Sequence, residues 1–436
     1  MNHLLLMAIA GTVMTSVLIE QNAHVLGAMA KPIATAHSSI NDLRTGNWPG
    51  WRGGDGSGLS GDADLPTEWD ATKNIIWKTP VPGSGHSSPI VWDDRVFLTT
   101  AEGPGKQRFV LCFDRADGKL VWKTACPSEA FETKIDPKTG YAASTPVTDG
   151  ERVYAFFGSA GVMAVEFSGR LVWHCDLGEF ASEYGVASSP MLFDDKLVLN
   201  CDQGTIAQAG NSFIIAKNKM TGETIWRTER PGQPHSWSTP VLVSVEGSDR
   251  RELVLNGGFK VWAYDPNTGE ALWHCDGVKD EVTPTVVTGN GLVFSVSGDN
   301  GPTLAIRPGG HGNISETHVA WQGRRGAPKV PSPILAAGRL YLVGDKGIVT
   351  CFDANSGKSV FQSRLPSSEF SASPVAAGEN IFVTSEEGDT FVLAADVKLK
   401  VISKNPLGEP CLASPAVSRG QILIRTQKHL WCIGNK

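Results

Sequence analysis

The chain has 436 residues, a length that corresponds to about three domains of average size. Hydrophobic residues make up 41% and charged residues 19%, and glycine and proline together contribute 74 residues (48 + 26). This composition excludes a disordered chain, a coiled coil and a helical bundle, and it favours many short strands separated by turns. The net charge is −6 and no basic run exceeds two residues, which disfavours binding to nucleic acid or to an anionic membrane surface.

The N-terminal segment has the pattern of a secretory signal. Residues 4–19 are uncharged and mostly apolar, and Ala28-Met29-Ala30 places small residues at the −3 and −1 positions of a signal-peptidase site. We expect residues 1–30 to be cleaved near Ala30, which leaves a periplasmic or secreted protein without a membrane span. An uncleaved anchor is the alternative, although a transmembrane helix needs about 20 apolar residues. No cysteine precedes Cys112, so we expect no lipid anchor.

From residue 77 onward the sequence repeats, and the repeat determines the predicted fold. A Ser/Thr-Pro step recurs eight times, with its prolines at Pro89, Pro146, Pro190, Pro240, Pro284, Pro333, Pro374 and Pro415. Within each unit, short β-branched and aromatic stretches alternate with Gly or Asp turns, without helical periodicity. Four short strands per repeat of about 45 residues are typical of a β-propeller blade.

A second marker recurs in phase with the first. It comprises Trp77, Trp122, Trp173, Trp226, Trp273 and Trp321, followed by Phe361. We interpret these residues as structural, because a large aromatic at one phase of every blade can pack against the neighbouring blade and bury about 150–250 Å². An aromatic ligand subsite is the alternative interpretation.

The order of the markers predicts how the ring closes. Trp77 precedes the first Ser-Pro step, whereas the last unit ends on its third strand near Trp431. We therefore predict an all-β protein with a single eight-bladed β-propeller of four-stranded antiparallel blades, closed by an N-terminal strand around Ile75 that completes the last blade. The predicted organisation is a signal peptide (1–30), a Gly/Pro-rich lead-in (31–73) and the propeller (74–436).

The cysteines also follow the repeat. Cys112, Cys351 and Cys432 share a position in the third strand, and Cys175 and Cys275 share another position, two residues after the tryptophan. Because equivalent residues lie on different blades, we predict buried small hydrophobic residues, neither a metal site nor a disulfide ladder. A single disulfide elsewhere among the eight cysteines stays open.

The segments Asp114 to Trp122 and Asp265 to Trp273 share the pattern Asp-x-x-(Ser/Thr/Asp)-Gly-x-x-x-Trp. This pattern resembles the tryptophan-docking repeat of the PQQ-like propellers, a superfamily that includes the quinoprotein alcohol dehydrogenases and the assembly lipoprotein BamB. The resemblance covers about residues 47–436. The lead-in Trp51-Arg52-Gly53 and the C-terminal segment are similar to exported PQQ-like repeat proteins of planctomycete-type bacteria.

The two branches of the superfamily imply different functions. The dehydrogenases use PQQ and Ca²⁺, a disulfide between adjacent cysteines and an Asp base, whereas this sequence has no adjacent cysteine pair and no other catalytic motif. We therefore predict no catalytic residues, no metal and no cofactor. Resemblance to BamB implies a monomeric, non-catalytic scaffold of the cell envelope that binds a protein, peptide or glycan. A PQQ- and calcium-dependent dehydrogenase of alcohols or sugars is the alternative.

The longest predicted loops gather on one face of the propeller. They are residues 101–108, 123–143 and 201–212, and long loops on one face mark a binding surface. Residues just before each Ser/Thr-Pro step are expected to ring the channel mouth there, namely His86, Tyr141, Tyr184, His235, Trp237, Glu281, Lys329 and Glu369. We expect Lys329 to pair with Glu281 or Glu369, and His86 and His235 to lie too far apart to share a metal. Hydrated rim residues without a ligand are the alternative.

Overall fold

The computed structural model describes residues 46–62, 64–205, 210–298, 300–367 and 369–435. The predicted signal peptide and the first part of the predicted lead-in lie outside these residues. In the described part, eight β-sheets are arranged as blades, and each contains a meander of four antiparallel strands. This arrangement confirms the eight-bladed β-propeller that the repeat predicts.

The four strands of each blade follow one another from the channel outward. Blade 1 comprises Ile90–Trp92, Arg95–Glu102, Gln107–Asp114 and Leu120–Ala125, and blade 2 comprises Val147–Thr148, Arg152–Phe156, Val162–Glu166 and Leu171–Cys175. Blade 3 comprises Met191–Phe193, Lys196–Cys201, Phe213–Asn218 and Thr224–Glu229, and blade 4 comprises Val241–Ser244, Arg251–Asn256, Lys260–Tyr264 and Ala271–Asp276. Blade 5 comprises Val287–Gly289, Leu292–Val296, Thr303–Ile306 and Val319–Gly323, and blade 6 comprises Ile334–Ala336, Arg339–Val343, Ile348–Asp353 and Ser359–Arg364. Blade 7 comprises Val375–Ala377, Asn380–Thr384, Asp389–Ala394 and Val401–Pro406, and blade 8 comprises Ala416–Ser418, Gln421–Arg425, His429–Gly434 and Ile75–Pro80.

Blade 8 is completed from the N-terminal side, as the sequence predicts. Its outermost strand pairs antiparallel with the last strand of the chain, and Trp77 lies opposite Cys432. The pairing joins the two ends of the ring and leaves no unpaired strand edge at the seam.

The propeller has two faces that differ in their connections. We call the face that carries the second-to-third hairpins and the links between blades the loop face, and the opposite face the turn face. The predicted long loops 101–108 and 123–143 and the described residues of 201–212 lie on the loop face, apart from the strand residues at their ends. The turn face also carries one long connection, residues 307–318 of blade 5. Its short strand Gly312–Asn313 pairs in parallel with the outer strand of blade 4.

The repeated tryptophans lie at the seams between blades. The indole N–H of Trp122 donates to Phe167 O of blade 2 at 2.8 Å. Gly169 lies in that same turn with φ +89°, and a Cβ at this position would lie 2.8 Å from the Trp122 ring. The turn therefore needs glycine both for its backbone and for the close approach of the ring. Trp77, Trp173, Trp226 and Trp321 donate in the same way to Arg115, Lys219, Pro266 and Ala354 of the next blade.

The seam between blades 4 and 5 differs from this pattern. Trp273 packs in a core that both blades share, but its N–H donates to Glu252 Oε2 of its own blade at 2.7 Å. The long connection 307–318 replaces the glycine turn that would otherwise accept this hydrogen bond. Phe361, which has no N–H, packs in the core between blades 6 and 7.

The cysteines are unpaired thiols in the structure, and all but the half-buried Cys175 are buried. Burial raises the pKa of Cys112 and of Cys432 to about 12, so these third-strand thiols act as small apolar residues. Among the described residues the 3₁₀ turn Gly158–Ala160 is the sole helical element, and none of their helices has the length and hydrophobicity to span a membrane.

Candidate functional site

The innermost strands are tied together by a closed ring of eight hydrogen bonds. In each, the backbone N–H of one blade donates to the hydroxyl oxygen of the next, at 2.8–3.1 Å. The donors in order are Ser88, Thr145, Ser189, Thr239, Thr285, Ser332, Ser373 and Ser414, and the last donates to Ser88. The hydroxyl of the Ser/Thr-Pro step therefore has a structural role that was not predicted, although its eightfold recurrence was the available signal.

The ring corrects one repeat marker. Thr283-Pro284 is the predicted Ser/Thr-Pro step of blade 5, but Thr285 occupies the ring position and Val286 the place of the proline. The motif is displaced by two residues there, so the apparent spacing before blade 5 is too short and the spacing after it too long.

A cavity of about 720 Å³ lies on the propeller axis. We call it the cup. Its wall includes the ring residues of seven blades and side chains from the links between blades, so it reaches the loop face. Cavities of this size accommodate small organic ligands.

The lead-in closes the turn-face end of the channel. Trp48 exchanges two backbone hydrogen bonds with Val91 of blade 1, both at 2.8 Å, and Pro49 O accepts from Thr148 N of blade 2 at 2.8 Å. The chain then crosses the axis, and Leu59–Ser60 pairs in parallel with the inner strand of blade 7. Trp51 lines the cup from this segment. The sequence predicts only a lead-in at these residues, and the floor that they form was not predicted.

Arg52 fixes this floor from within. Its side chain is buried, and Nη2 donates to Pro333 O at 2.7 Å and to Ser57 O at 3.0 Å. Burial lowers the pKa of Arg52 to about 9, a shift that Asp55 partly offsets. The guanidinium still carries its charge at neutral pH and joins the lead-in to blade 6.

Residues 126–143, which we call the strap, extend over the opposite end of the channel. The base of the strap is held by a buried ion pair, because Arg108 Nη2 lies 2.7 Å from Glu132 Oε2 and both side chains are almost inaccessible. Arg108 Nε also donates to Tyr141 O at 3.1 Å, and Glu132 Oε1 accepts from Ser159 N at 2.7 Å. The strap therefore leaves the wall at a fixed point.

The tip of the strap reaches the far side of the mouth. Lys138 Nζ lies 3.0 Å from Glu369 Oε2 and 2.8 Å from Glu386 Oε2, both of which belong to blade 7 or to the link before it. Lys346 also pairs with Glu369, at 2.7 Å. Hydrogen bonds from Lys346 and Lys138 lower the pKa of Glu369 to about 2. Lys138, Glu369 and Lys346 are exposed to solvent, whereas Glu386 is only 16% exposed.

His86 contacts the strap from blade 1. Its Nε2 lies 3.3 Å from Pro137 O. Burial and the charge of Arg425 lower the pKa of His86 to about 4, although the contact with Pro137 opposes the shift. The imidazole is therefore neutral at neutral pH.

The structure brings most of the predicted mouth residues together. His86, Tyr184, Trp237, Glu281, Lys329 and Glu369 line the cup. Tyr141 is instead part of the strap base, where its ring lies 5.4 Å from the Arg108 guanidinium. His235 is buried behind the wall. The expected pairing of Lys329 is wrong, because Glu281 pairs with His235, and Glu369 pairs with Lys138 and Lys346.

Three rings and a carboxylate form a compact corner of the cup. The rings of Tyr184 and Trp237 are 5.7 Å apart and nearly perpendicular, at 79°. His235 lies behind both, 5.2 Å and 4.6 Å from them, and its Nε2 is 3.2 Å from Glu281 Oε1. The Trp237 N–H donates to Gly185 O at 2.8 Å, which fixes the indole. We call Tyr184, Trp237 and Glu281 the aromatic corner.

Comparison with known proteins identifies the family. The model of the family described as "Outer membrane protein assembly factor BamB" matches residues 53–125, 106–363 and 317–399. The chain belongs to this family. BamB of Yersinia pestis is 22% identical over 319 residues, which cover 68% of this chain and 76% of that protein. BamB of Burkholderia pseudomallei is 23% identical over 330 residues, which cover 73% and 76%.

Solved structures share the fold of this BamB-family chain. BamB of Moraxella catarrhalis has a TM-score of 0.58 at 14% identity and covers 82% of this chain and 98% of its own. The quinohemoprotein alcohol dehydrogenase of Comamonas testosteroni has a TM-score of 0.68 at 14% identity and covers 91% and 82%. The resemblance to PQQ-like propellers is thus confirmed for the fold, which both branches of the superfamily share.

The lining of the cup fits a quinone cofactor with bound calcium poorly. PQQ carries three carboxyl groups and needs several cationic partners, but two of the three lysines that line the cup, Lys138 and Lys346, are already paired with Glu369, which leaves Lys329. Calcium takes six to eight oxygen ligands, and within the described ranges no group of three or more His, Cys, Asp or Glu residues could hold a metal. The sequence also lacks the adjacent cysteines that the dehydrogenases use.

Proposed function

We propose that this BamB-family chain is a non-catalytic scaffold of the cell envelope that binds a protein or a ligand at the mouth of the cup. The observation that carries the proposal is the difference between the two ends of the channel. The turn face is closed by backbone pairing with the lead-in, whereas polar, charged and aromatic side chains line the cup toward the loop face. Long connections on a rigid scaffold are where binding residues concentrate.

The envelope location is supported by the relatives and by the N-terminal pattern. The curated relatives from Yersinia pestis and Burkholderia pseudomallei are named outer membrane protein assembly factors. The pattern of residues 1–30 predicts export, and the proposed scaffold would therefore lie in the periplasm or outside the cell.

Site-specific photo-crosslinking tests which face binds. A photoreactive amino acid is placed at Lys134 on the strap or at Asp94 on the turn face, both in exposed side chains (70% and 83%). We expect crosslinked partners from position 134 in intact envelopes and none from position 94. Partners from position 94 alone, or equally from both positions, would contradict the proposed binding face.

The dehydrogenase alternative has its own test. The purified protein is titrated with PQQ and Ca²⁺, and dye reduction is measured with alcohols and sugars. We expect neither saturable binding nor turnover. A saturable quinone absorbance band accompanied by dye reduction would replace the scaffold proposal with an enzymatic one.

A further inference from the structure

The aromatic corner has the composition of a site for an organic cation. The negative faces of Tyr and Trp rings attract ammonium groups, most strongly where the cation is desolvated. Tyr184 and Trp237 stand nearly perpendicular, at 79°, and both line the cup. They come from consecutive links between blades, and Glu281 comes from the next link, so one quarter of the wall carries two rings and a carboxylate.

Glu281 differs from the other carboxylates of the cup. Glu369 and Glu386 are paired with lysines. Asp136 accepts the backbone N–H of Lys138 at 2.7 Å, and Asp345 accepts backbone N–H groups at 2.6 and 3.0 Å. Among the described residues, the ion-pair contact of Glu281 is with His235, which is charged only when protonated. The Glu281 side chain is 31% exposed and lines the cup, and among the described residues it forms no ion pair with a lysine or arginine.

The rings of the corner are held in place before a ligand arrives. The Trp237 N–H is bound to Gly185 O at 2.8 Å, and the buried His235 ring supports both Trp237 and Tyr184 from behind. A ligand would therefore meet walls that lose little conformational freedom on binding.

A cationic counterpart lies on the neighbouring link. Lys329 also lines the cup, and no ion pair of its ammonium group occurs within the described ranges. Its backbone approaches that of Glu281 closely, because a Cβ on Gly298 would lie 3.3 Å from Lys329 Cα and 3.6 Å from Glu281 O. The cup thus carries an acidic group and a basic group on neighbouring links, and no ion pair joins the two in the described residues.

We propose that the cup binds a small zwitterionic alkylammonium compound, with the ammonium group in the aromatic corner beside Glu281 and its carboxylate toward Lys329. This inference adds a ligand class to the proposed binding function. It rests on one part of that function, namely that the cup is a binding site. The lining supplies the remaining contacts, since apolar side chains such as Ala187, Ala327 and Val330 also line the cup.

Calorimetric titration of the purified full chain tests the proposal with defined probes. Choline and glycine betaine carry the trimethylammonium group, and 3,3-dimethyl-1-butanol is the uncharged isostere of choline. We expect choline to bind saturably and about tenfold more tightly than its isostere, because cation–π attraction and the carboxylate act only on the charged probe. Equal affinity of choline and the isostere, or no saturable binding of choline and betaine, would overturn the proposal.

Variants assign the binding to the corner. We expect Glu281→Gln and Trp237→Leu each to weaken choline binding about tenfold, whereas Glu151→Gln, an exposed turn-face carboxylate, leaves it unchanged. Lys329→Met should weaken betaine and spare choline. The thermal unfolding midpoint of each variant verifies that it is folded. If Trp237→Leu does not fold, the choline affinity of Glu281→Gln and the comparison of choline with its uncharged isostere still test the proposal. Choline affinity that is unchanged in Glu281→Gln would contradict the assignment.

The probes contain no protein, so the result is separate from the crosslinking test. Loss of choline binding with crosslinks intact would remove the ligand class and leave the scaffold proposal standing. Choline binding without crosslinks would support the cup as a ligand site and count against a protein partner at the mouth.

Discussion

The two ends of the channel are closed by different kinds of interaction. At the turn face, backbone pairing and the buried guanidinium of Arg52 join the lead-in to blades 1, 2, 6 and 7. At the loop face, the strap tip crosses the mouth on the ion pairs of Lys138, whose side chain is 55% exposed. Buried polar contacts are costly to break, whereas exposed ion pairs contribute about 0–1 kcal/mol. The floor therefore belongs to the folded core, whereas the strap tip is held more weakly across the mouth.

The largest effect is expected at the floor. Arg52→Ala removes the donor to Ser57 O, Pro333 O and Pro374 O and leaves a cavity. We expect the free energy of unfolding to fall by about 3–5 kcal/mol, measured by urea denaturation. Arg95→Ala is the matched control, because its pair with Asp114 is about one-third exposed (35% and 34%). A loss at Arg52 as small as at Arg95 would show that the lead-in does not stabilise the ring.

The hydroxyl ring between the two ends gives an intermediate effect. Thr285→Val keeps the shape of the side chain but removes the acceptor of the buried Thr239 N–H, which lies 2.9 Å away. We expect a loss of about 1–3 kcal/mol in urea denaturation. Thr283→Val, two residues earlier in the same link, lines the cup outside the ring and should cost less than about 0.5 kcal/mol. Equal losses in the two variants would contradict the reassignment of the blade 5 marker.

Acid should weaken a largely buried contact of the loop face. Glu409 Oε1 lies 2.7 Å from His429 Nδ1 and 2.9 Å from Lys78 Nζ, and Glu409 Oε2 accepts from Thr426 Oγ1 at 2.8 Å. Burial raises the pKa of Glu409, but these hydrogen bonds prevail and lower it to about 2 from its usual 4.5. Because the folded-state value is the lower one, the stabilisation is complete above pH 4.5 and is lost as the pH falls toward 2.

Glu409→Gln tests this pH dependence. We expect the variant to lose about 1–2 kcal/mol at neutral pH, a figure discounted for the exposure of Lys78, and to show a flatter stability profile between pH 4.5 and 2. Glu369→Gln is the comparison, since its ion pairs are exposed and screened. A Glu409→Gln profile parallel to that of the wild type would exclude this carboxylate as the source of acid sensitivity.

The repeating part of the structure, the eight blades, could be predicted from the sequence, whereas the lead-in, which does not repeat, could not. The eightfold recurrence of Ser/Thr-Pro predicted the blade number, and the position of Trp77 before the first unit predicted the closing strand. The floor could not be predicted, because residues 46–60 follow no strand period and an arginine such as Arg52 is normally exposed. The single signal was the pair Trp48 and Trp51 in a polar segment, since isolated tryptophans there need an apolar partner.

The site was predicted in part for the same reason. Residues just before each Ser/Thr-Pro step are positioned by the repeat, and Tyr184, Trp237 and Glu281 accordingly lie on the wall of the cup. Tyr141 and His235 do not line the cup, because a side chain can turn away from the propeller axis without any change in the sequence repeat. The partners of Lys329 and Glu369 depend on the strap, whose path across the mouth follows from long-range contacts of Arg108 and Lys138 that no local pattern contains.

The smallest effect on stability is expected at the strap tip. Lys138→Met removes the ion pairs with Glu369 and Glu386 but leaves the turn formed by Asp136, whose Oδ1 accepts from the Lys138 N–H at 2.7 Å. Since Lys138 and Glu369 are exposed and Glu386 alone is largely covered, the free energy of unfolding should change by less than about 1 kcal/mol. Hydrogen exchange should nevertheless quicken at residues 133–140 and stay unchanged at Ser159, whose N–H is bound to the strap base. Lys134 lies on the same strap and forms an exposed ion pair with Glu183 at 3.5 Å. The variant Lys134→Met removes that pair and should leave hydrogen exchange of the strap nearly unchanged. If Lys138→Met and Lys134→Met increase hydrogen exchange of the strap equally, the ion pairs of Lys138 with Glu369 and Glu386 do not hold the strap tip in place. The two ends of the channel would then differ less in stability than their contacts indicate.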